Sequence, residues 1–103
     1  MGWNVVARSS DLEDGSVFGV EVNGLRIALY RIKGAIYATG NVCTHEFALL
    51  SDGYLDGDYI ECPLHQALFH VPTGEARSAP ASEPVTIYPA KEEGDRVLVL
   101  LPE

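Results

Sequence analysis

The chain has 103 residues, 47% of them apolar, and a formal net charge of −8 at pH 7. That length fits a single domain, residues 1–103, with one modest core that hides roughly 65% of the surface an unfolded chain exposes, and it leaves little room for a deep substrate pocket. The acidity excludes a phosphate-backbone binder and so argues against nucleic acid, and no apolar run approaches the roughly 18–20 residues of a membrane-spanning helix.

The start, Met1-Gly2-Trp3-Asn4, lacks the basic-then-apolar pattern of an export signal, and Val6 stands where a myristoylation signal needs a hydroxyl residue. A cytoplasmic protein is expected. Trp3 to Ala7 is a short apolar run stopped by Ser9-Ser10-Asp11. Ser16 to Val22 alternates over part of its length, as a half-buried strand does. Asn23-Gly24 is the strongest two-residue hairpin signal, because both residues tolerate a positive φ. Leu25 to Ile32 is the return strand, Lys33-Gly34 turns again, and Ala35 to Thr39 runs back. A three-stranded antiparallel meander is therefore predicted.

Gly40-Asn41 breaks the third strand. Glu46 to Ser51 fits a short helical turn, too short to stand alone. Asp52-Gly53 and Asp56-Gly57 are turn signals. Tyr59 to Cys62 and Ala67 to Val71 read as strands, followed by a turn at Pro72-Thr73-Gly74-Glu75. Pro80 and Pro84 keep residues 79–84 out of any central strand. Val85 to Tyr88 is a strand, Glu92-Glu93-Gly94-Asp95 a turn, and Arg96 to Leu101 the closing strand. Eight to ten short strands with frequent turn signals predict an all-β antiparallel sandwich or partly open barrel.

The chemistry concentrates in two segments, Cys43-Thr44-His45 and Cys62-Pro63-Leu64-His65. They hold both cysteines of the chain and two of its three histidines, with sixteen residues between His45 and Cys62. Thiolate and imidazole suit zinc and iron–sulfur sites. On residue type alone, a tetrahedral Cys2His2 zinc site, a Cys–His nucleophile and a disulfide also stand open. The single residue between Cys43 and His45 is tight for zinc, a nucleophile leaves the second cysteine unexplained, and a reducing cytoplasm disfavours a disulfide. His70, alone on a predicted strand, is given no metal role.

The pattern C-x-H, sixteen residues, C-x-x-H resembles the Rieske-type 2Fe–2S proteins, in which two histidines replace two cysteines on one iron. The likeness covers nearly the whole chain, including its length, and is strongest from Asn41 to Glu75, through Phe69-His70-Val71-Pro72-Thr73-Gly74-Glu75. It is nearest to the small Rieske ferredoxins of bacterial aromatic-ring-hydroxylating dioxygenases. The resemblance implies the Rieske fold, with a cluster-binding subdomain of about residues 41–72 made of two ligand loops. It implies one cluster, with Cys43 and Cys62 on the inner iron and His45 and His65 on the outer one. It implies a proline-bearing loop at residues 79–84 lying over the cluster. It implies an electron carrier, not an enzyme, that works between a flavin-containing, NAD(P)H-dependent ferredoxin reductase and a terminal oxygenase and is monomeric. A Rieske small subunit of a nitrite reductase-type system is the alternative within the family.

Two ferric ions, two sulfides and two thiolates sum to no net charge, whereas four thiolates leave a dianion. Reduction is correspondingly easier, at roughly −150 to +300 mV against about −400 mV for four-cysteine plant-type clusters. Reduction is also expected to raise the proton affinity of the outer histidines. Respiratory Rieske proteins place a serine, a tyrosine and two disulfide-forming cysteines at positions that here are Ala67, Phe69, Ala48 and Leu64. Those departures predict the low end of the range. Glu46 and Gln66 flank the two histidines and are candidates for partner contact.

Overall fold

The computed structural model describes residues 2–43, 48–63, 67–77 and 83–102. Ten strands run through them: β1 (Gly2–Arg8), β2 (Val17–Val22), β3 (Leu25–Ile32), β4 (Ala35–Gly40), β5 (Tyr54–Asp56), β6 (Tyr59–Glu61), β7 (Leu68–His70), β8 (Ile87–Tyr88), β9 (Ala90–Glu93) and β10 (Arg96–Leu101). Single turns of 3₁₀ helix occur at Ser9–Asp11 and Leu50–Asp52. The strands form three sheets of order β1-β10-β9, β2-β3-β4-β8 and β5-β6-β7, every pairing antiparallel. The all-β expectation holds.

The meander forms as its turns dictate. Asn23 and Gly24 have φ of 51° and 80°, and Lys33 and Gly34 repeat the pattern at 51° and 82°. Two successive left-handed residues give the turn whose twist matches the strands it joins. Two strands were not legible. β5 is three residues caught between two Asp-Gly turn signals, too short for any period to show. β9 reads Ala-Lys-Glu-Glu, a poor intrinsic strand, and is drawn out by its pairing with β10, Val97 opposite Glu92. The turn there shrinks to Gly94-Asp95. β8 is shorter than predicted because Val85 donates its N–H to the Gly74 carbonyl at 2.9 Å instead.

β3 is buried on both sides. Ile27 and Leu29 join Leu12, Ala38, Val97, Val99 and Leu101 in one core against the β1-β10-β9 sheet. Ala28, Tyr30 and Ile32 point the other way, into a second core with Leu50, Ile60, Phe69, Val71, Val85 and both cysteines. Within that second core the Tyr30 hydroxyl lies 2.9 Å from Thr39 Oγ1, which itself donates to the Gly40 carbonyl. Tyr30 is therefore the donor of the pair, and burial pushes its pKa up.

Arg31 ties the periphery together. Its Nε donates to the Leu12 carbonyl at 2.7 Å, and its two terminal nitrogens reach Glu92 of β9 at 3.2 and 2.8 Å. Those hydrogen bonds hold the Glu92 carboxyl down at about 2. A carboxylate so depressed contributes stability fully above its ordinary value near 4.5, and loses it as pH falls through about 2. Glu92→Gln is therefore expected to lower the urea midpoint near neutral pH, with the gap to wild type closing as pH drops through that window. A gap independent of pH would show that the pair contributes nothing as an ion pair.

Candidate metal centre

Both cysteine segments are built in the same way. Before the first, Val42 bridges to Leu49, and the Cys43 N–H donates to the Ala48 carbonyl at 2.8 Å. Before the second, Glu61 of β6 pairs with Leu68 of β7, and the Cys62 N–H donates to the Ala67 carbonyl at 2.8 Å. In each case an antiparallel pair opens at a cysteine and closes at an alanine five residues on. The cysteine backbones are thereby fixed by the sheet edges. Both side chains are buried, Cys43 4% and Cys62 0% exposed, in one core, and neither is in a disulfide.

That environment tests the donor set. Among the described residues the buried polar groups are the side chains of Thr39 and Asn41 and the Tyr30 hydroxyl, and no buried side chain is charged. A thiolate taken out of water into such surroundings needs a compensating cation. A cationic metal core supplies one, and it deprotonates thiols outright. The two cysteines therefore fit the sulfur side of an iron–sulfur centre. His45 and His65 lie outside the described residues, as do Glu46, Leu64, Gln66 and residues 79–82 of the proline-bearing loop. Among the described residues no three His, Cys, Asp or Glu side chains group to hold a metal.

The residues corresponding to the missing hydroxyls and to one of the disulfide cysteines, Ala67, Phe69 and Ala48, line the same buried core, each at most 9% exposed. His70 is engaged elsewhere. Its Nδ1 lies 2.9 Å from Thr73 Oγ1 in the following turn, and its ring tilts against Tyr59. Arg77 sits over the other partner of that pair, 5.7 Å from the Tyr59 centroid. Arg77 is also the one basic residue between positions 41 and 77, against six carboxylates.

Sequence reading missed Asn41, taken only as a strand breaker. Its N–H donates to the Arg26 carbonyl at 2.9 Å and its carbonyl accepts the Leu50 N–H at 2.7 Å. Its side chain accepts the Ser51 N–H at 2.8 Å and donates to Ser51 Oγ at 2.9 Å. Asn41 thus clamps both ends of the first cysteine segment. Gly19 makes room for it, since a Cβ there would stand 2.7 Å from Ser51 Oγ. No local signal reveals this; the partners are ten residues apart and meet only after folding.

Comparison with known proteins gives a consistent answer. The family described as Rieske [2Fe-2S] domain matches residues 2–89. The ferredoxin component of the naphthalene 1,2-dioxygenase system of Pseudomonas putida is 50% identical over 97 residues, covering 94% of this chain and 93% of the relative. The oxidized ferredoxin in complex with the reduced oxygenase of carbazole 1,9a-dioxygenase superposes with a TM-score of 0.89 at 39% identity, over 94% of this chain and 91% of that one. The Sphingomonas yanoikuyae B1 ferredoxin gives a TM-score of 0.92 at 33% identity, over 98% and 100%. No helix among the described residues is long and apolar enough to cross a membrane.

Replacing Asn41 by Ala orphans the Ser51 N–H and hydroxyl. The expected loss is about 2–4 kcal/mol of unfolding free energy, read from urea denaturation, with iron released to a chelator faster than from wild type. A change below about 0.5 kcal/mol, within the usual range of surface substitutions, would remove the clamp from the account.

Proposed function

The chain belongs to the Rieske [2Fe-2S] domain family, and from that premise we propose that it is a ferredoxin of an aromatic-ring dioxygenase system, carrying single electrons from an NAD(P)H-dependent flavin reductase to a terminal oxygenase. One 2Fe–2S cluster of the Rieske type supplies one-electron chemistry when bound. Cys43 and Cys62 hold its inner iron, and His45 and His65 its outer iron. The observation that carries this is the pair of buried cysteines, clasped alike in one uncharged core. The relatives' names support the carrier role over catalysis, because they are ferredoxin components of dioxygenase systems. They also disfavour the nitrite reductase and zinc alternatives.

The chain is read as one domain over residues 1–103, with a cluster-binding subdomain of about residues 41–72. The protein acts as a cytoplasmic monomer. Carboxylates outnumber cations around the two cysteine segments, so basic faces on the redox partners are favoured and encounters are steered at low ionic strength. The contacts are short-lived, as redox encounters are.

Two outcomes test the reading. The reduced protein should give a Rieske EPR spectrum, and His65→Ala should abolish it; an unchanged visible and EPR signature would overturn the ligand assignment. With no hydroxyl at Ala67 or Phe69, the midpoint potential is expected near the bottom of the family range, about −150 mV. A redox titration giving a value above roughly +100 mV would contradict the hydrogen-bond argument.

A further inference from the structure

We infer that Gly53 is a positioning residue that sets the spacing between the two cysteine segments. The inference rests on the reading that Cys43 and Cys62 hold the cluster. Gly53 follows the Leu50–Asp52 turn with φ −90° and ψ −158°, extended backbone that any residue adopts. Conformation therefore does not require glycine here. Space does. A Cβ at this position would run into the carbonyl oxygen of Glu61, with the Glu61 carbonyl carbon at 3.1 Å and the Leu50 carbonyl oxygen at 3.2 Å.

All three obstacles are backbone, so none can swing aside as a side chain would. Each also belongs to a frame that carries a cysteine. Leu50 opens the 3₁₀ turn directly after the Leu49 bridge that closes the first segment, and its N–H is held by the carbonyl of Asn41, two residues before Cys43. Glu61 directly precedes Cys62 and is paired on both sides, with Tyr54 of β5 and Leu68 of β7. Gly53 is therefore the point where the two frames touch with no side chain between them. Inserting one methyl group pushes β6 away from the Leu50–Asp52 turn and carries Cys62 with it relative to Cys43.

The test uses the cluster-loaded full chain, comparing Gly53→Ala with Gly40→Ala. Gly40 has no left-handed φ and nothing within 4 Å of a built Cβ, so its variant should match wild type. For Gly53→Ala the EPR g values and visible circular dichroism should shift, and iron retention against a chelator should fall on the order of tenfold. A lower thermal midpoint with an unaltered EPR and dichroism signature would overturn the inference and leave Gly53 a packing residue only. Should Gly53→Ala accumulate too poorly to measure, insertion of a second glycine after Gly53 lengthens the link without steric load. The insertion should shift the same signature, and an unaltered one overturns the inference. A wild-type protein with no Rieske signal at all would instead sink the ligand reading, and is thereby told apart.

Discussion

The structure depends on one strand whose middle, Ile27 to Tyr30, has no solvent face. Side chains along β3 alternate with the period of two that any strand imposes, and over that stretch both sets are apolar or hydrogen-bonded, with Arg26 and Arg31 left toward its ends. Ile27 and Leu29 anchor the core shared with β1, β9 and β10; Ala28, Tyr30 and Ile32 anchor the core that holds the cysteines. A one-residue slip of β3 would exchange the two sets and place Tyr30 where Leu29 belongs. The tight turns at Asn23-Gly24 and Lys33-Gly34 forbid that slip, because each fixes the pairing on its side. The register of β3 thus reaches the cysteines through shared packing.

Burial explains why the sulfur side is held as it is. A cysteine side chain gains from leaving water as a thiol and loses heavily as a thiolate, so an apolar core selects either a neutral thiol or a metal-bound sulfur. The alanines that close the two segments matter for the same reason. Ala48 and Ala67 are buried beside the cysteines and contribute only a backbone carbonyl to the clasp. The sulfur side is thereby buried among apolar side chains. The described carboxylates Asp52, Asp56, Asp58, Glu61 and Glu75 lie outside that core, where water screens them from the buried sulfurs.

Much of this was legible in the chain. Asn23-Gly24 and Lys33-Gly34 announce their turns through residue type or context, and the strands beside them follow. The paired Cys/His segments point to the Rieske family, and the family match over residues 2–89 agrees. What escaped was whatever depends on partners distant in sequence. β5 and β9 exist because neighbours offer them hydrogen bonds, not because their residues prefer to be extended. The double burial of β3 could not be read from an apolar run that serves equally for one covered face with mixed composition. Asn41 looked like punctuation because its role lies in Ser51 and Leu50.

Asn41 and Gly53 solve one problem by opposite means. Between them lies the segment that starts at Cys43, and beyond Gly53 lies the pairing that delivers Cys62. Asn41 closes the near end with a side chain that accepts the Ser51 N–H and donates to Ser51 Oγ, while its backbone bonds Arg26 and Leu50. Gly53 closes the far end by having no side chain, so that the Glu61 carbonyl can approach to a distance a methyl group would forbid. Hydrogen bonds of the first kind tolerate a few tenths of an ångström of drift; a backbone contact of the second kind does not, because repulsion rises far more steeply than attraction falls. Tolerance is therefore least where Cys62 is set against Cys43. On the proposed ligand reading, a metal centre with fixed sulfur positions needs its tightest constraint at that point, and the chain provides it with an atom left out.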